Sequence, residues 1–168
     1  VTVTSTCGTA SDDLVLTINP LPIAYAGIDA TICSGQSTTL NASGGTSFSW
    51  SPATNLSATN ISNPIANPTN TITYTVTATN ACGTDNDDVI VTVNPIPTAN
   101  AGTDASICTG QSTTLNGSGN GTYTWAPAAS LSNPNIANPV ASPTVLTTYI
   151  LTVTNSCGIA TDDVTITV

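Results

Sequence analysis

An all-β fold of tandem sandwich units is what this sequence predicts, on three observations. The stretch ICSGQSTTLNASGG at residues 32–45 returns as ICTGQSTTLNGSGN at 107–120. That offset of 75 (108 − 33) also carries Trp50 onto Trp125, Tyr74 onto Tyr149 and Cys82 onto Cys157. Apolar and polar residues alternate at the period of a strand. No segment shows the periodicity of a helix. A fixed period of this size decides architecture ahead of local propensity, because each copy is one supersecondary block of an array.

The repeat also sets the boundaries. Residues 23–93 align without a gap on 98–168, with more than half the positions identical, and residues 1–18 match 76–93. The expected organisation is therefore residues 1–18 as the last two strands of a truncated preceding repeat, 19–97 as a complete repeat with its linker, and 98–168 as a second complete repeat. Along one unit, QSTTLNA (36–42) reads as a strand through Thr38, Leu40 and Ala42. FSWS (48–51) is the next, with Phe48 and Trp50 on one face. Residues 52–69 are dense in Pro, Asn and Ser, which predicts irregular backbone with a short edge strand near Pro64 to Pro68, since proline cannot donate to a ladder. TYTVTAT (73–79) sets Tyr74, Val76 and Ala78 against four threonines, and DDVIVTV (87–93) puts Val89, Val91 and Val93 on one face. Ser34-Gly35, Gly44-Gly45 and Cys82-Gly83 supply turns. Roughly seven short strands of this kind make a β-sandwich. NPLP (19–22) and NPIP (94–97) join units through Pro-x-Pro, an extended and semi-rigid linker.

Composition excludes several functions. The only charged side chains are nine Asp, giving a net charge of −9 with no Lys, Arg or His to oppose it. Nucleic acid and anionic membrane surfaces are repelled, because counterion release requires Lys and Arg on phosphates. No apolar run has the length of a spanning helix, so membrane insertion is not expected. Catalysis is not expected either: general acid–base and nucleophilic mechanisms need a base of tunable pKa, and His, Lys and Glu are all absent. Trypsin-like proteases find no Lys or Arg to cut after.

The segments ANAGTDASICTGQSTTLNGSG, YTWAP, TTYILTVTNSCG and TDDVTITV, taken as a set, resemble the PKD-like and Ig-like repeats of giant surface proteins in gliding Gram-negative bacteria. The resemblance spans the whole chain. It implies end-to-end Ig-like/PKD-like sandwiches in the stalk or filament of a secreted adhesin, at or beyond the cell surface, with neighbouring repeats or identical chains as partners. One departure is the turn after the Trp, where many PKD-type units carry DFGDG and this chain has SPATN and APAAS.

The resemblance further implies a strand order in which Cys33 lies in the first turn of a unit and Cys82 in the last. Those turns sit at opposite ends of one sandwich, about 25 Å apart, whereas a disulfide tolerates ~4.4–6.8 Å between Cα atoms. On that order Cys33 pairs with Cys157 of the following repeat, Cys108 reaches forward, and Cys7 and Cys82 reach backward to neighbouring repeats. The in-domain set, Cys33–Cys82 with Cys108–Cys157, stands as the alternative. Either pairing implies an oxidising, extracellular setting.

Two further groups attract a functional reading. Asp29, Asp85, Asp87 and Asp88, and then Asp104, Asp162 and Asp163, gather carboxylates with no cation to neutralise them, so Ca²⁺ is the candidate cofactor. The competing reading is that they cap turns and keep an edge soluble. Trp50 and Trp125 are expected in the core with Tyr74 and Tyr149. An exposed Trp would instead suit a carbohydrate-binding module with surface glycans as ligands.

Overall fold

Alternating Thr, Val and Ile keep long stretches of backbone extended, and all regular structure in the computed structural model, which describes residues 1–168, is strand. β1 (Thr2–Ser5) and β2 (Gly8–Ser11) form an antiparallel hairpin. The first full repeat then contributes β3 (Ala30–Cys33), β4 (Thr38–Thr39), β5 (Ser47–Ser51), β6 (Ile65–Ala66), β7 (Ile72–Asn80) and β8 (Gly83–Asn94). The second contributes β9 (Ala99–Asn100), β10 (Ala105–Ser106), β11 (Thr113–Thr114), β12 (Ser118–Gly119), β13 (Thr122–Ala126), β14 (Val140–Ala141), β15 (Thr147–Asn155) and β16 (Gly158–Thr167).

Both repeats build the same sheets. One four-stranded sheet runs β3-β8-β7-β5 and its counterpart β10-β16-β15-β13. In each, the leading strand lies parallel to the last one, with Ala30 opposite Val91 and Ala105 opposite Ile166. All other ladders with a stated register are antiparallel. Two-stranded sheets β4-β6 and β11-β14 complete each repeat, and β9-β12 is matched in the first repeat by the single bridge Tyr25–Ser43. This is the Ig-like β-sandwich, in tandem.

Three predicted strands differ in extent. The strand read over 36–42 is a ladder only at Thr38–Thr39. Beyond it Leu40 and Ala42 donate to the carbonyls of Pro64 and Ser62, and Pro64 has no N–H to return, so the pairing continues on one side only. β8 starts at Gly83, four residues ahead of the predicted strand. Residues 12–18, which match the strand 87–93, are not a strand here: no leading strand or core lies alongside, and Leu14, Val15, Leu16 and Ile18 are all exposed.

Eighteen apolar residues are buried, and they fall into nine pairs at the repeat offset, from Ala26 and Ala101 through Trp50 and Trp125 to Val91 and Ile166. By spatial contact the chain forms two compact units that do not follow the repeat boundaries. One is Val1–Ile28, Thr39–Ile65 and Tyr74–Val89; the other is Asp29–Thr38, Ala66–Thr73 and Ile90–Val168. The second unit thus holds the whole second repeat together with the stretch around Cys33. Its core packs Trp125, Tyr149, Leu151, Val153, Val164 and Ile166 around Leu115, Ala101 and Ala141.

Within this core the repeats trade volume. Val76 of the first repeat becomes Leu151, and Ala42 becomes Gly117. A Cβ on Gly117 would stand 2.6 Å from the Ala137 carbonyl oxygen, 2.8 Å from Trp125 Cζ2 and 3.3 Å from Leu151 Cδ2. The missing methyl is the space that the larger Leu151 and the indole occupy. Gly117→Ala is expected to destabilise by about 1–3 kcal/mol through overpacking. Adding Leu151→Val should recover part of that loss, with a coupling of at least ~0.5 kcal/mol in a denaturation double-mutant cycle. Additive losses would show that the two sites do not share the space.

Candidate functional site at the cysteine junction

The site begins with one asparagine, the last residue of the penultimate strand. Asn155 accepts the Cys157 N–H at 2.7 Å through Oδ1, and its Nδ2 donates to the carbonyl of Pro95 in the linker at 3.1 Å. The same side chain therefore shapes the turn and ties it to the chain ahead of its own repeat. Asn80 does likewise, accepting from Cys82 N–H at 2.8 Å and donating to Pro20 at 3.0 Å. The second linker is held further by Asn120, whose Oδ1 accepts from Thr98 N–H and whose Nδ2 reaches the Ile96 carbonyl. Gly45 stands at the equivalent position of the first repeat and has no side chain to do this.

The partner cysteine is set from the other direction. Cys33 ends β3, opposite Asn94 at the end of β8, and its carbonyl accepts from Gln36 N–H at 2.9 Å to close the Ser34-Gly35 turn. Gly35 takes a φ of 85°, a left-handed conformation that glycine adopts at no steric cost. Ser34 N–H donates to the Asn94 carbonyl at 2.8 Å, and Cys157 Sγ lies 3.7 Å from that same oxygen. The two sulfurs thus meet over the first residue of the linker, and they are bonded, with the Cα atoms 5.5 Å apart. Cys7, Cys82 and Cys108 are free and exposed, so neither Cys33–Cys82 nor Cys108–Cys157 is formed. Cys82 Sγ nonetheless lies 3.3 Å from the Asn19 carbonyl, the place that Cys157 takes at Asn94. Cys108 closes the same turn as Cys33, through Gln111 N–H at 2.9 Å.

These clamping asparagines were not legible as such. Asn is abundant in the sequence, and the one available signal is its recurrence two residues before the cysteine in TNAC (79–82) and TNSC (154–157). In TSTC (4–7) a serine holds that position, and Ser5 Oγ accepts from Cys7 N–H at 3.2 Å.

The carboxylates do not converge. No group of three or more acidic or other metal-binding side chains forms, so the set of carboxylates anticipated for Ca²⁺ is not brought together. Each inner carboxylate instead accepts a backbone N–H across the parallel pair, always 61 residues away. Ala24 donates to Asp85, Ala26 to Asp87 and Ile90 to Asp29, each at 2.8 Å. Ala101 donates to Asp162 and Thr165 to Asp104, again at 2.8 Å. The spacing is that of the β3–β8 ladder itself, so the carboxylates continue its rungs where the leading backbone has no pairing with the last strand. Asp88 and Asp163 face the other way and are exposed. Ala160 replaces Asp85 in the second repeat, where Ala99 instead pairs with Gly119 in the β9–β12 ladder.

The aromatic residues are structural. Trp50 and Trp125 are 3 % and 1 % exposed, and their Nε1 groups donate to the carbonyls of Ile61 and Ile136. Neither indole face is open to stack on a sugar. Tyr74 and Tyr149 are fully buried, with hydroxyl bonds to the Thr54 carbonyl and to Ser130 Oγ. Burial pushes the Tyr74 phenol above its ordinary pKa.

No protein-family model matches the sequence, and no curated protein matches it. Solved structures match by fold. An I-band fragment of titin superposes with a TM-score of 0.59 at 14 % identity, covering 89 % of this chain and 66 % of that one. The insect immune protein hemolin gives 0.57 at 14 %, over 93 % of this chain and 48 % of that one. Extracellular domains 3–5 of Drosophila OTK give 0.54 at 15 %, over 95 % and 65 %. The chain spans about two thirds or less of the length of each. At these identities the likeness is one of fold, tandem Ig-like domains.

Three measurements check this account of the site. Asp162→Ala should cost about 1–3 kcal/mol, because it leaves the N–H of fully buried Ala101 without its acceptor, while Asp162→Asn keeps an oxygen there and costs less. EDTA should leave the melting temperature of the unsubstituted chain unchanged, and a fall on chelation would restore a bound cation. For Tyr74 the sign follows from linkage. The folded state holds its phenolic proton to higher pH than the unfolded chain, so stability is full below the ordinary tyrosine value of 10.0 and declines above it. Spectrophotometric titration of the unsubstituted chain against Tyr74→Phe should assign to Tyr74 a late ionisation that coincides with unfolding.

Proposed function

We propose that this chain is a structural repeat segment of an extracellular stalk, filament or adhesin, in which Ig-like units joined end to end form a stiff, protease-resistant rod at the cell surface. The observation that carries this reading is the bond from Cys33, in the first repeat, to Cys157, in the second, over an asparagine-clamped linker. A disulfide of this kind persists in an oxidising compartment. Cys82 and Cys108 stand in the local settings of Cys157 and Cys33, so repetition of the same bond along an array would engage every sulfur with a neighbouring repeat. The sequence resemblance to surface repeats of gliding bacteria supports a bacterial cell-surface origin. The fold neighbours support an extracellular tandem in kind, though not its bacterial origin: the OTK segment is described as extracellular, and the hemolin structure is described with implications for homophilic adhesion. A glycan-binding role lacks its platform, because both indoles are buried.

The missing cations fit such a role. A chain with no Lys or Arg offers trypsin-like enzymes no cleavage site even when it unfolds. The test is a peptide map of protein purified from its source without reductant, with thiols blocked and digestion by chymotrypsin or Asp-N. It is combined with antibody labelling of intact cells. A peptide joining Cys33 to Cys157 and labelling without permeabilisation are expected. A peptide joining Cys33 to Cys82, or an antigen reached only inside permeabilised cells, would reject the reading.

A further inference from the structure

We propose that the Cys33–Cys157 bond is a tension-carrying strap that makes the paired repeats inextensible, so that the cystine, and not the strength of the sandwiches, limits lengthening under force. The proposal rests on the stalk reading for the origin of the tension; the mechanics belong to the chain alone.

Tension in a cross-linked chain follows the shortest covalent path. The two cysteines are 124 positions apart in sequence while their Cα atoms are 5.5 Å apart, so 123 residues (124 − 1) lie off that path. Those residues run from β4 to β15 and hold Trp50, Trp125, Tyr74 and Tyr149, the centres of both repeats. Unfolding any of them adds no length while the bond stands. The loaded path enters along residues 24–33, crosses at the sulfurs and leaves through β16 (Gly158–Thr167).

That path has little slack. A strand rises ~3.3 Å per residue against a limit of ~3.6 Å when fully extended, so β3 and β16 can give less than about a tenth of their length. Ahead of β3, the N–H groups of Ala24 and Ala26 are fixed to Asp85 and Asp87, and Asp29 accepts from Ile90 N–H. The leading segment therefore stays aligned with β8 up to the residue that passes the load across. Slack remains in the β1–β2 hairpin, in residues 12–23, and to a smaller extent at 24 and 26–29, which are outside strands and bend at Gly27 (φ 98°) but are held to β8 by the bonds just named.

The arithmetic separates two outcomes widely. With the bond intact the loaded residues are 1–33 and 157–168, which span about 160 Å at ~3.6 Å each. Without it all 168 residues can extend, to about 600 Å. The whole chain, flanked by marker domains of known step size, is pulled by its ends in oxidising buffer, then after TCEP, and as Cys33→Ser without reductant. The same preparation is peptide-mapped.

Oxidised molecules should lengthen by no more than about 160 Å and show no domain-sized step. TCEP and Cys33→Ser should each release about 440 Å more from the 123 residues between the cysteines. Reduced molecules that detach before lengthening further would overturn the proposal, because the sandwiches themselves would then be the limiting element. A map without the Cys33–Cys157 peptide would reject the strap and the stalk pairing together, whereas a mapped bond with unchanged traces rejects the strap alone.

Discussion

The parallel pairing of the leading strand with the last strand is the contact on which the rest of this structure depends. Because β3 runs in the same direction as β8, the residue that ends β3 lies opposite Asn94, where the chain departs for the next repeat. An antiparallel partner would have sent Cys33 to the far end of the ladder. Parallel ladders are somewhat weaker per residue than antiparallel ones. Here the pair is lengthened by side chains: Asp85, Asp87 and Asp29 supply acceptors in the same 61-residue register over a stretch whose backbone does not itself pair with β8. In a chain without a single Lys or Arg, backbone amides are the donors these carboxylates use.

The repeat and the strand period were legible, and with them the architecture and the core. Tyr74, Val76 and Ala78 alternate with threonine along β7, and all three are fully buried. The carboxylates show where reading stops. An Asp at the start of a strand has one chemistry in sequence and two destinations in space, a cation or an amide, and the choice rests on a segment 61 residues away. The short ladder at Thr38–Thr39 has a similar cause, because its length is set by whether the opposing residue carries an N–H, and Pro64 does not. Residues 12–18 carry the pattern of strand 87–93 without its neighbours, which is a reminder that a strand is a property of a pair.

Differences between the repeats are as informative as their likeness. Ala78 becomes Val153 while Thr46 becomes Gly121, and a Cβ on Gly121 would first meet the Thr154 backbone carbonyl and then come within 3.1 Å of Val153 Cγ1. The larger core residue and the smaller turn residue arrive together, as Leu151 and Gly117 do. Exchange of Gly45 for Asn120 adds the second clamp on the linker. Close packing makes each methyl felt by its neighbours, so copies of one repeat diverge in compensated pairs rather than singly.

The cross-link has a thermodynamic side apart from its geometry. Closing a loop with the 124-residue separation of Cys33 and Cys157 removes conformational entropy from the unfolded chain, about 5 kcal/mol by the chain-entropy relation. That quantity is not the property of either repeat. The loop begins in one sandwich and ends in the other, so the unfolded state of each is restricted by a closure that both share. Stability measured on a single excised repeat would omit it altogether. The smallest piece of this sequence whose free energy of folding includes that closure is thus the cross-linked pair, and each further bond in a lengthening array would add a closure of its own.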